Sequence, residues 1–152
     1  MIAAVFDCMV FLQAATSDRG PAFACLAFVE AGRGTLHVSA AILAEVRDVL
    51  TRPKIQAKFP NLTPERVDIF LQKIATLATV VADVPDAGFP LSDADDLPYL
   101  NLAVAADARY LVSWDNGLHD LMDDASFTGK YPHLLVANPV AFLETVRTAT
   151  AS

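Results

Sequence analysis

Apolar and polar positions along the chain switch between two periods, and the switches mark short strands alternating with helices. "IAAVF" (2–6) is a continuous apolar run with the length of a strand buried on both faces. "GPAFACLAFVEAG" (20–32) reads as a helix that Pro21 opens and Gly32 stops. "TLHV" (35–38) is a second strand. Ser39 then caps "AAILAEVRDVLTR" (40–52), whose residues Ile42, Val46, Val49 and Leu50 form an apolar stripe at helical spacing and which Pro53 ends. Thr63 and Pro64 begin another helix, "PERVDIFLQKIATLA" (64–78), and "TVV" (79–81) is a third strand. Asp95 or Asp96 caps "LPYLNLAVAAD" (97–107), and "RYLVS" (109–113) follows as a strand. "HLLV" (133–136) is the last strand, and Asn138 with Pro139 opens the closing helix "NPVAFLETVR" (138–147).

Strands alternating with helices predict an α/β fold with a parallel sheet covered on both faces. No repeat, linker or low-complexity tract divides the 152 residues, so a single domain over 1–152 is expected. In such sheets ligands bind beyond the carboxyl ends of the strands. Asp7 stands one residue past "IAAVF", and Asp115 two residues past "RYLVS". Both acids therefore emerge at one edge of the sheet. An Asp inside an apolar run must be paired, be neutralised or sit where the run reaches water, and this edge is where the run reaches it.

Composition narrows the picture only in places. The apolar fraction of 54% is high and hints at a surface covered by a second copy or a partner. "YLNLAVAADARYLVSW" is broken by Asp107 and Arg109, too early for a membrane span. No basic leader with a small-residue cleavage site opens the chain, and Cys8 and Cys25 lie in apolar surroundings. The expectation is a cytoplasmic protein with reduced core thiols. The net charge of −7 disfavours non-specific attraction to nucleic acid, so phosphate contacts need a local basic patch or a bound cation. Arg47, Arg52, Lys54 and Lys58 form one candidate patch, which an ordinary solvated helix face explains equally well.

Two more carboxylates fit the edge that Asp7 and Asp115 define. Glu45 flanks the apolar stripe of its helix and leans towards the sheet. Asp96 starts the helix that leads into "RYLVS". Four carboxylates repel one another unless a cation joins them, and a hard divalent ion with oxygen ligands, Mg2+ or Mn2+, suits the set. Such an ion activates water for phosphodiester hydrolysis. Each acid also has a plainer reading: Asp96 as a helix cap, Glu45 as a solvated residue, Asp115 as a turn former in "WDNG". Only the combination argues for a metal centre.

At these residues the sequence resembles the PIN-domain family, in particular the VapC-like toxin components of toxin–antitoxin systems. The matching segments are "AVFDCMVFLQA", "VSAAILAEVRDVLTRPKI", "LSDADDLPYLNLAVAADARYLVSWDNGLHDL" and "NPVAFLE", in the family's order over nearly the whole chain. The resemblance implies a three-layer α/β/α domain and a Mg2+- or Mn2+-dependent ribonuclease acting on single-stranded RNA. It implies that Asp7, Glu45, Asp96 and Asp115 are catalytic and hold the metal, with Asp93 and Ser113 in support. Arg47, Arg52 and Lys54 are the candidate RNA contacts. It further implies a homodimer neutralised by a small antitoxin protein.

Two positions depart from the family's pattern. Met9 stands where an Asn is frequent, and Gly117 where a further acid is frequent, so the polar shell is thinner. The alternative reading is a catalytically weakened or inactive PIN-fold binding module. Phosphotransfer of the haloacid dehalogenase type needs a second Asp at position 9, and a receiver domain needs an N-terminal acidic pair and a late Lys; neither pattern is present. His37, His119 and His133 are scattered and read as structural, and Trp114 reads as packing at the rim.

Overall fold

The computed structural model describes residues 1–150. The strands are β1 (Ile2–Phe6), β2 (Gly34–Ser39), β3 (Thr79–Val81), β4 (Tyr110–Val112) and β5 (Leu135–Ala137). The helices are α1 (Cys8–Thr16), α2 (Pro21–Glu30), α3 (Ala40–Leu50), α4 (Pro53–Lys58), α5 (Pro64–Leu77), α6 (Leu97–Ala105), α7 (Asn116–His119), α8 (Ala125–Lys130) and α9 (Pro139–Thr150). The sheet order is β3-β2-β1-β4-β5, and every strand pair is parallel.

This is the expected three-layer α/β/α arrangement. The chain moves outward from β1 through β2 to β3, then crosses back to β4 and β5. Right-handed crossovers put the connections of these two halves on opposite faces. On one face α2 and α9 pack together, and Phe142 of α9 meets Phe6, Phe28 and Tyr110 edge-on at 5.2–6.2 Å. On the other, α6 lies across β1, β2 and β4. Val5, Leu36, Val38, Leu111 and Val112 are fully buried between these layers, which is why their strands read as unbroken apolar runs. Among the described residues no helix is long and apolar enough to cross a membrane.

Several boundaries differ from the sequence expectation. The apolar run after Asp7, for which the sequence pattern predicts no element, is helix α1, which Asp7 caps through its side chain. Pro53 does end α3, yet it also opens α4 from the first-turn position where its missing N–H costs nothing. The segment 97–107 stops being helical at Ala105. Asp107 adopts a left-handed φ of 51° there, and its carboxylate pairs with His133 at 2.6 Å. Neither Asp95 nor Asp96 caps α6 by its side chain. Instead Asp93 accepts from the Asp95 N–H at 2.9 Å and organises a short 3-10 turn at Ala94–Asp96. The helices α7 and α8 were not foreseen; each is a short piece capped by an Asp, Asp115 and Asp124.

Two expected caps hold as read. Ser39 Oγ accepts from Ile42 N at 3.2 Å, and Asn138 Oδ1 accepts from Ala141 N at 2.8 Å. Gly32, with φ of 77°, ends α2 in the conformation that a side chain would disfavour.

Candidate functional site

The strand order reverses at β1, whose neighbours β2 and β4 lead away in opposite directions. That reversal opens a crevice at the carboxyl ends of β1 and β4. The pairing of Phe6 with Val112 brings residues 7 and 113 alongside, and Asp7 N donates to Val112 O at 3.1 Å. A cleft of about 360 Å³ lies here, lined by Asp7, Cys8, Met9, Glu45, Val49, Arg52, Asp95, Asp96, Tyr99, Trp114 and Asp115. All four carboxylates expected at this edge thus share one cleft, although 108 positions separate the first from the last in the chain (115 − 7).

Asp7 is the most enclosed of them, at 7% exposure. Its Oδ1 accepts from Met9 N at 2.9 Å, and its Oδ2 accepts from the Ser113 hydroxyl. Burial pushes its pKa up, the Ser113 hydroxyl and the Met9 and Val10 amides pull it back, and the Asp115 charge raises it again. Burial also pushes Asp96 up, to about 7, with the charge and hydrogen bond of Asp115 adding to the effect. Crowding of like charges at a half-buried carboxyl favours its protonated form. Asp115 itself accepts from Leu118 N at 3.0 Å through Oδ2, so it is also the cap of α7.

Ser113 is fully buried and bonded on both sides: it donates to Asp7, and its oxygen accepts from Asp115 N at 2.9 Å. His119 closes against the same strand end, with Nε2 2.6 Å from Ser113 O. Trp114 sits on the rim, its indole N–H donating to Gln13 Oε1 at 2.7 Å. Met9 is exposed at the cleft wall. Gly117 stands so close to Asp115 that a Cβ there would meet Oδ2 at 3.0 Å.

The remaining expected residues divide. Arg52 lines the cleft and pairs with Asp48 at 2.8 Å. Arg47 points elsewhere, to Asp68 on α5, and Lys54 is exposed outside the cleft lining. Asp93 lies outside the lining too and acts through the turn that presents Asp95 and Asp96.

Sequence reading missed Tyr99. It is 2% exposed, and its hydroxyl has no partner in hydrogen-bonding geometry among the described residues. Burial raises its pKa, and Cys8, Glu45 and Asp7 are the charged or polar groups that raise it further. Cys8 is pushed up to about 11 by burial and then by the Glu45 charge, so it remains a thiol. The one available signal was a Tyr three residues beyond Asp96, on the helix face towards the sheet.

The donor set is chemically suited to a hard cation, being all carboxylate with no sulfur ligand. The unpartnered Tyr99 hydroxyl and the raised Asp7 and Asp96 fit a site that a cation would stabilise. Among the described residues, however, no three acid, histidine or cysteine groups surround one point closely enough to hold an ion as they stand.

Fold and cleft together define a parallel α/β domain with an acidic crevice at its topological switch point. The chain belongs to the PIN-domain family, whose model matches residues 3–117. Among solved structures, the VapBC2 complex from Rickettsia felis bound to a DNA fragment from its promoter contains a similar chain. The TM-score is 0.55 at 14% identity, over 90% of this chain and 98% of that one, a likeness of fold. No curated protein matches the chain.

Proposed function

We propose that this protein is a metal-dependent endoribonuclease that hydrolyses phosphodiester bonds in single-stranded RNA, and that it is the toxin of a toxin–antitoxin pair. One observation carries the proposal: Asp7, Glu45, Asp96 and Asp115 line a single cleft at the switch point of a PIN-domain sheet. PIN domains are in general nucleases that use divalent cations. In this chain the four carboxylates would hold Mg2+ or Mn2+. When bound, the ion supplies an activated water and stabilises the charge that builds on the phosphate.

The chain's own residues do the rest. Ser113 fixes the rotamer of Asp7 and the backbone of Asp115, so two of the acids are held in register by one hydroxyl. Asp93 presents the turn that carries Asp96. Arg52 offers a cation at the cleft wall for the phosphate chain, at the expense of its exposed pairing with Asp48. Arg47 and Lys54 flank that region outside the cleft and would contact only a longer RNA.

The partner side of the proposal is a cytoplasmic homodimer bound by a small antitoxin. The net charge of −7 and the acidic cleft suit a basic antitoxin arm whose Arg or Lys enters among the carboxylates. Light scattering at micromolar concentration should give a dimer; a monomer refutes that part. The antitoxin-bound protein should take up less Mn2+ than the free protein.

Cleavage of a labelled single-stranded RNA tests the activity. Excess chelator should abolish it and Mn2+ or Mg2+ restore it. Cleavage that persists in chelator sinks the metal mechanism. Mn2+ uptake without any cleavage favours the second reading, a weakened PIN-fold binding module, for which Met9 and Gly117 in the thinner polar shell are the specific motive.

A further inference from the structure

A buried hydroxyl without a partner is uncommon in a folded protein and calls for a reason. Tyr99 has such a hydroxyl, and the residue stands where the apolar core meets the wall of the acidic cleft. Phe would fill the same space with no orphaned group. Three polar side chains stand near enough to influence it: Cys8, Glu45 and Asp7. Asp7 already accepts on both oxygens, from Met9 N and from Ser113. Cys8 offers only sulfur, a weak acceptor. Glu45 remains, carried on α3, and α6 with Tyr99 packs directly against α3.

We propose that Tyr99 is a positioning residue for the metal centre: its hydroxyl donates to one Glu45 oxygen and so aims the other at the cation. The proposal rests on the metal-dependent reading above. Glu45 is the acid that most needs such help. Asp7 and Asp115 are fixed by helix caps and by Ser113, whereas Glu45 has a longer side chain on a half-buried helix face. A carboxylate held by a neighbouring donor loses less rotational freedom on binding an ion.

The test is calorimetric Mn2+ titration of the whole protein as wild type, Tyr99→Phe, Glu45→Gln and the double variant, with thermal melts of each in chelator. Tyr99→Phe should weaken Mn2+ binding about tenfold, the usual size for loss of a group that orients a ligand. Its melting temperature in chelator should be unchanged or higher, since an unsatisfied buried hydroxyl has been removed. In the Glu45→Gln background the further change Tyr99→Phe should leave Mn2+ affinity unaltered. Unchanged affinity in Tyr99→Phe overturns the inference, as does a tenfold loss that persists without the Glu45 carboxylate. Wild-type protein that takes up no Mn2+ overturns the metal reading itself, and the inference with it.

Discussion

Ser113 donates its hydroxyl hydrogen to the Asp7 carboxylate across the gap between β4 and β1, and the same oxygen receives the Asp115 amide. One buried side chain therefore couples the acid that ends β1 to the acid that follows β4. Ser113→Ala should cost about 1–3 kcal/mol, because it removes a hydrogen bond to a carboxylate and leaves the Asp115 N–H unpaired. Denaturant unfolding measures that loss, and Mn2+ affinity should fall with it. An alanine variant as stable as wild type would show that the link contributes nothing.

Asp7→Asn and Asp115→Asn should each bring RNA cleavage below detection. The asparagine oxygen can still cap α1 or α7, and at position 7 a buried charge disappears. Stability in chelator should therefore stay within about 1 kcal/mol of wild type or rise. A clear drop in melting temperature with cleavage intact would reduce both acids to helix caps.

Acid should stabilise the metal-free protein through the same cluster. Asp96 has a folded pKa of about 7 against an ordinary 3.8, so between these values the folded state binds more protons than the unfolded one. Its contribution is fully present below pH 3.8 and is lost as pH rises through about 7. Asp7 acts in the same direction. His37 acts in the opposite one: burial lowers its pKa below 6.5, so its contribution is present above 6.5 and is lost as pH falls. Comparison with Asp96→Asn separates them. Unfolding midpoints in chelator at pH 5 and pH 8 should differ less in the variant, and an unchanged difference would clear Asp96 of the effect.

Gly117→Asp supplies the acid that the family's pattern has at this position, yet it should not improve the enzyme. A Cβ at 117 meets Asp115 Oδ2 at 3.0 Å, and that oxygen is already held by Leu118 N. The crowding should displace the Asp115 carboxylate and weaken Mn2+ binding about tenfold. Tighter binding or faster cleavage in the variant would show that the cleft has room to spare.

Phe142→Ala removes the ring that α9 inserts among Phe6, Phe28 and Tyr110. The cavity should cost about 3–5 kcal/mol, read as a lower unfolding midpoint. Mn2+ affinity of the folded fraction should change little, since α9 lies on the face of the sheet away from α6.

The sequence alone determined the alternation of elements, because short fully buried strands and amphipathic helices leave different periods in the apolar pattern. It also determined which edge carries the chemistry: Asp7 and Asp115 follow their strands directly, and in a parallel sheet all strand ends share one side. Capping by Ser39 and Asn138 was legible for the same local reason, a side chain bonding to an amide three residues on. Asp7 shows where local reading stops. Its place past a strand was visible, but its double role, capping α1 and accepting from Ser113, depends on a residue 106 positions away. Likewise Arg47 and Arg52 share a basic stretch, and only the packing of α5 against α3 takes Arg47 to Asp68 and leaves Arg52 at the cleft. Tyr99 packs in the core except for one oxygen. Whether a buried hydroxyl finds a partner is decided by which elements meet around it, and the contact of α6 with α3 is a tertiary fact that no local pattern encodes.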